Sequence, residues 1–91
     1  MNSTDYLLAF SSFYKAAYAQ EILMKQRFSA SLRKLPPGLL QSCGYGLTLR
    51  AKDGDSLRRA VELLEKTQIR TKGVYSVRRE GNRTFYDKVY L

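Results

Sequence analysis

A chain of 91 residues, 44% of them hydrophobic, has room for one core but not for a catalytic domain plus a separate substrate domain, so a binding or carrier module is the expected class. Its single cysteine cannot form an internal disulfide, and with no histidine and no second thiol it builds neither a zinc site nor a dithiol redox pair, so no metal and no cofactor are expected. A net charge of +8 calls for an anionic partner, whether RNA, a phosphate-bearing or other anionic ligand, or an acidic protein surface.

Tyr6 to Phe10 is a nearly continuous apolar run ending at Ser11-Ser12, good helix caps, and predicts a buried strand feeding a helix. In that helix Ala16, Ala19 and Leu23 form a stripe flanked by Ala17 and Met24, with Tyr14, Tyr18, Glu21 and Lys25 on the other side. The small alanines predict close packing on a sheet, and the helix should fray near Arg27. Phe28, Ala30 and Leu32 then alternate with Ser29, Ser31 and Arg33 at the period of a half-buried strand, which Pro36-Pro37-Gly38 stops. Residues 38–46 are expected to form a loop in which Leu39-Leu40 folds back and anchors Cys43 from one side.

Leu47, Leu49 and Ala51 alternate with Thr48, Arg50 and Lys52, predicting a third strand antiparallel to the second. Asp53-Gly54-Asp55 opens a second helix with carboxylates at its positive end, Leu57, Ala60, Val61 and Leu64 give its core stripe, and Glu62 with Lys66 is expected as a surface ion pair. Gly73 precedes a fourth strand over Val74–Val77, Gly81-Asn82 is a turn, and Phe85, Tyr86 and Tyr90 predict a fifth strand returning as a hairpin. This order predicts an α+β fold, a ferredoxin-like βαββαβ sandwich whose antiparallel sheet carries two helices on one face and an extra C-terminal strand. The expected organisation is a single domain over residues 1–91, with a core at 5–78 and an extension at 79–91. That extension should cover the margin of the fourth strand within one chain, giving a monomer or weak dimer.

Candidate chemistry concentrates in Gln41-Ser42-Cys43-Gly44-Tyr45-Gly46. Between Glu21 and Asp53 there is no acidic residue, while Lys25, Arg27, Arg33, Lys34, Arg50 and Lys52 are basic, so Cys43 lies in a positive field that favours thiolate over thiol. Gly44 and Gly46 flank Tyr45 and suit a turn that leaves the sulfur approachable and backbone N–H groups facing an anion. Arg33, Lys34 and Arg50, on the adjoining strands, are the candidates to stabilise a thiolate or bound anion. Without histidine there is no imidazole base for a cysteine hydrolase, and Arg50 is one residue too far from Cys43 for the Cys-x5-Arg phosphatase loop, so a transfer protein is expected rather than a stand-alone enzyme. The bland alternative is an interaction protein whose cysteine is an inert, compact hydrophobe.

Gly44-Tyr45-Gly46-Leu47 also overlaps the RNA-recognition-motif signature, in which exposed sheet aromatics stack on bases. That signature wants a basic residue at Cys43 and aromatics at Leu47 and Arg50, which leaves Tyr45 and Tyr6 as the stacking surfaces of an RNA-binding alternative.

Phe10-Ser11-Ser12 closes the first strand, Ala16 and Leu23 lie in the first helix, Pro36 stands upstream of Ser42-Cys43-Gly44, and Gly73-Val74-Tyr75 comes near the end. On these residues the stretch from Tyr6 to Val77 resembles the selenium/sulfur carrier family of small bacterial proteins, whose hallmark is Ser-Cys-Gly. Gln20 departs from the family's usual Glu, Lys34 from its first Pro, and the tail from Arg79 to Leu91 is an addition. The resemblance implies that Cys43, supported by Ser42, Gly44, Tyr45 and Gly46, transiently holds a persulfide or perselenide between donor and acceptor proteins. No apolar run approaches the roughly 18 residues of a membrane span, and Met1–Asp5 lacks the pattern of a secretion signal, so the cytoplasm is the expected compartment.

Overall fold

The computed structural model describes residues 4–36 and 44–90. Among the described residues seven elements follow one another: β1 (Thr4–Phe10), α1 (Phe13–Lys25), β2 (Ser29–Lys34), β3 (Tyr45–Ala51), α2 (Gly54–Lys66), β4 (Gly73–Glu80) and β5 (Arg83–Lys88). The strands make one antiparallel sheet in the order β2-β3-β1-β4-β5, and with the two helices they form an α+β fold. The expected turn over Leu39-Leu40, together with Ser42 and Cys43, lies outside the described residues.

The apolar run of β1 follows from its central place, because a strand paired on both sides and covered on both faces has no polar side to show. Leu8 and Phe10 point toward the helices, where they pack with Ala16, Ala19 and Leu23 of α1 and Leu57, Ala60 and Leu64 of α2. Leu7 and Ala9 point the other way and pack with Tyr75, Leu35, Val77 and Tyr86. Both helices therefore cover one face, and a smaller apolar cluster occupies the other. Fully burying a leucine or phenylalanine is worth about 1.5–3 kcal/mol, so the fully buried Phe10, Leu7, Leu8, Leu23, Leu47, Leu49, Leu57 and Leu64 contribute much of the stability of the fold.

α1 begins where expected: Ser12 is extended and its hydroxyl accepts the N–H of Lys15 at 3.2 Å. Alanines at positions 16 and 19, fully buried, let the helix axis approach the sheet. The helix stops at Lys25 through a left-handed turn at Arg27 (φ 67), with the N–H of Phe28 donating to the Leu23 carbonyl at 3.0 Å. β2 accordingly starts at Ser29, and Phe28 is the apolar residue that closes the cap against the core. α2 ends the same way, at Gln68 (φ 64) and Ile69, whose N–H donates to Leu64 O at 2.9 Å.

The expected Glu62–Lys66 pair does not form; no ion pair joins them, and both side chains line a cleft beside α2. The fifth strand is present. Gly81 at φ 60 opens the hairpin turn, in keeping with a type II′ arrangement, and β5 pairs along β4 from Glu80–Arg83 to Tyr75–Lys88. Arg78 fastens the hairpin: its Nε donates to Asp87 at 3.0 Å, a second contact reaches Glu80, and its guanidinium lies 4.5 Å from the Phe85 ring centroid. Those two carboxylates, Asp87 first, hold the Arg78 guanidinium still more firmly protonated than usual. Tyr90, expected to join the strand, lies beyond it and is exposed.

Candidate functional site

Gly44, the chain neighbour of Cys43, sits at one end of the sheet. There Tyr45 pairs with Phe10 on one side and Lys34 on the other, and Gly46 pairs with Ala9 and Arg33. The N–H of Leu35 donates to Gly44 O at 3.1 Å, and the N–H of Lys72 donates to Ala9 O at 2.7 Å, bringing the connection before β4 to the same end.

The two glycines play a different part from the one their spacing suggests. Tyr45 and Gly46 already belong to β3 and are paired on both sides, so they are not a turn with amides facing an anion. Glycine is required by close approach. A Cβ on Gly46 would stand 2.9 Å from Leu8 O and 2.7 Å from a Leu35 methyl, and one on Gly44 would stand 2.9 Å from Phe10 O and 2.8 Å from the other Leu35 methyl. Leu35 thus fills the space that the missing side chains leave, and fixes how the chain leaves β2 and enters β3.

Of the three cations expected near the thiol, Arg33 and Lys34 are at this end of the sheet, exposed, on the strand beside Gly46 and Tyr45. Arg33 Nε donates to the Lys34 carbonyl at 3.1 Å. Arg50 is not with them. It lies near the far end of β3, five residues beyond Tyr45 or about 17 Å along an extended strand, and its Nε holds Asp5 Oδ1 at 3.1 Å. Asp5 is shared with Arg79 at 3.3 Å, so Arg50 belongs to a cross-strand ion pair on the helix-free face.

Two contributors at the Gly44 end do not show in residue spacing. The first is the start of α1. Gly44 abuts the carbonyl of Phe10, two residues before the Ser12 cap, and no acidic residue occupies the first turn of α1. The unpaired N–H groups and aligned dipoles there form a positive terminus. The second is Lys72, exposed, beside Ala9. Among the described residues Arg33, Lys34 and Lys72 form no ion pair. The antiparallel order of strands could have predicted both, because the end of β1 and the start of β3 meet at the same edge.

The two rings expected to stack on RNA, Tyr6 and Tyr45, are not on the helix-free face of the sheet, and the tyrosines that are there, Tyr75 and Tyr86, pack in the apolar cluster with Leu7 and Ala9. Tyr6 and Tyr45 pack against the core on the helix side, and Tyr45 meets Phe13 edge-to-face at 5.3 Å between centroids. Rings held beneath the helices cannot stack on bases at the open face of the sheet, so the RNA-binding alternative is set aside. Exposed rings are found instead on α1, where Tyr14 flanks Phe13.

No described helix is long and apolar enough to cross a membrane. A search of curated proteins finds no match. The family model described as "Putative Se/S carrier protein-like" matches residues 5–76, a span that includes Cys43, the glycines after it and both helices, and stops before β5. With that match across most of its length, the chain belongs to the Se/S carrier protein-like family.

Proposed function

We propose that this protein carries sulfur or selenium as a persulfide or perselenide on Cys43, between a donor protein and an acceptor protein. The observation that carries the reading is the family match over residues 5–76, joined to the chemistry of the chain's only thiol. Further support comes from the Gly44 end of the sheet, where Arg33, Lys34, Lys72 and the uncompensated start of α1 make a positive surrounding that favours a thiolate. Gly44, Tyr45 and Gly46 support the thiol through the backbone they fix, with Ser42 as its neighbour in sequence. Arg50, engaged with Asp5, contributes only at long range.

In the loading step the Cys43 thiolate attacks the terminal sulfur of a donor persulfide. The donor's S–S bond breaks, its electron pair leaves with the donor thiolate, and a new S–S bond forms on Cys43. Delivery repeats the exchange with the acceptor as nucleophile. No base, metal or external oxidant enters, in agreement with a chain that has no histidine. Such a carrier works where thiols stay reduced, and the cytoplasm is the compartment that fits. The order β2-β3-β1-β4, two interleaved β-α-β units, supports reading the scaffold as a ferredoxin-like sandwich extended by β5. Because β5 covers β4 within one chain, the carrier is read as a monomer.

The test is loading from a persulfide-bearing donor protein, followed by intact-mass measurement. The wild-type chain should gain one sulfur atom, removable by dithiothreitol, and Cys43→Ser should gain none while melting at nearly the same temperature. An unloaded wild type, or a Cys43→Ser variant that no longer folds, would assign the cysteine to packing.

A further inference from the structure

Beyond the Gly44 end, the turn after α1, the last residues of β3 and the adjoining side of α2 enclose a cleft of ≈ 770 Å³. Arg27, Arg50, Lys52, Arg59 and Lys66 line it with Glu62 as the one carboxylate in the lining and Asp53 near Arg59, and Phe28, Ala51 and Leu63 are its apolar contacts. Arg50 is engaged with Asp5, but Arg27, Lys52, Arg59 and Lys66 form no ion pair among the described residues. Glu62 likewise leaves Lys66 unpaired across one helical turn.

We propose that this cleft binds a small molecule bearing a polyphosphate group. Four unpaired cations around one concavity repel one another, and a multiply charged anion seated among them reverses the sign of that interaction. Its size falls within the roughly 300–1,000 Å³ of small-molecule sites. Arginine forks at positions 27 and 59 suit phosphate oxygens, and the lysines act as point charges. Ser29 and Ser56 add hydroxyl groups at the rim, the latter already accepting from Arg59 Nη2 at 3.4 Å. A small ligand is favoured over RNA because the charges surround a cleft and Tyr6 and Tyr45 are turned toward the helices. The site is separate from the Gly44 end, so binding can be read without reference to Cys43.

The experiment titrates the full chain with inorganic tripolyphosphate and with adenosine triphosphate at fixed salt, following heat and backbone amide shifts. Saturable binding of one equivalent is expected, with shifts concentrated at Arg27 to Ser29, Lys52 and Ser56 to Arg59. Lys52→Gln combined with Arg59→Gln, both exposed, should weaken binding at least about tenfold with an unchanged melting curve, since each removes a charge-assisted contact. Arg33→Gln combined with Lys34→Gln should leave binding as it was. Non-saturating shifts spread over every basic surface, or binding that survives the cleft variant, would overturn the proposal. Single-stranded RNA binding more tightly than both probes, with shifts running past the cleft, would overturn it too.

Discussion

α1 and α2 are built alike and begin differently. Each has 13 residues, an extended cap residue whose side chain accepts the N–H three positions on, and a left-handed non-glycine turn at its end. The cap of α1 is the neutral Ser12, with no acid in the first turn, whereas α2 has Asp53 as cap and Asp55 behind it. A helix start carries about half a positive charge. In α2 that charge is met by the helix's own carboxylates, and in α1 it is left for something else. The uncompensated start is also the one beside Gly44. Similar backbone geometry thus gives one terminus closed on itself and one open to an anion, and the difference is a matter of cap chemistry.

Removing residues 81–91 should have the largest effect, and it should fall unevenly on these two regions. Tyr86 belongs to the helix-free cluster that also seats Leu35, and Leu35 in turn packs on Gly44 and Gly46. Half-burial of Phe85, Tyr86 and Val89 amounts to about 4 kcal/mol, which urea denaturation would measure. Amide exchange should accelerate at Gly44 to Gly46 more than in α2, and sedimentation should show self-association through the bared edge of β4. Equal loosening of both regions would mean that β5 steadies the sheet as a whole.

Gly46→Ala comes next. Its new methyl would meet a backbone carbonyl that cannot yield, so a loss of about 2–3 kcal/mol is expected. At Gly54, the start of α2, a methyl would meet nothing within 4 Å, and Gly54→Ala should change stability by less than about 0.5 kcal/mol. Thermal melts of the two variants measure the contrast directly, and similar losses would remove the claim that the Gly44 end is tightly built.

Much of this architecture is legible in the residues. The stripe Ala16, Ala19, Leu23, the alternation of Leu47, Leu49 and Ala51, and the Gly81-Asn82 turn place α1, β3 and the hairpin to within a few residues, because periodicity and turn chemistry are local. The glycines of the candidate site are misread for an equally physical reason. A glycine that serves a turn and one that admits a leucine from a neighbouring strand look the same until the register is known. Arg50 is set apart likewise: its nearness to Tyr45 in sequence becomes distance when the chain runs straight along a strand. The inward rings of Tyr6 and Tyr45 are set by strand parity relative to the helices, which the pattern of β1, apolar on both faces, conceals.

Ser12→Ala probes the open terminus at smaller cost. Loss of the hydroxyl that accepts from Lys15 should destabilise the chain by about 1 kcal/mol. Ser12→Asp should restore the cap while bringing in the carboxylate that the first turn of α1 lacks, and the rate of Cys43 alkylation by iodoacetamide should then fall although stability does not. If Ser12→Asp leaves alkylation unchanged, the start of α1 takes no part in the surroundings of the thiol.

The smallest effect expected is one of pH, and it separates the two caps without mutation. The Ser56 N–H, then the Ser56 hydroxyl, hold the Asp53 carboxyl below its ordinary value of 3.8, with the Arg59 charge adding to them. A carboxyl depressed by folding contributes stability in full above its unfolded value, and that contribution is lost as pH falls through the lower folded value. The first turn of α2 should therefore loosen only in strong acid, seen as a change in the Ser56 amide shift with its midpoint below 3.8. Ser12 does not titrate, so the Lys15 amide, which donates to its hydroxyl, should hold its shift across the same range. Parallel movement of the Ser56 and Lys15 amides would show that acid acts on the whole fold, and a Ser56 midpoint at or above the ordinary carboxyl value would show that the Asp53 cap is not formed in solution.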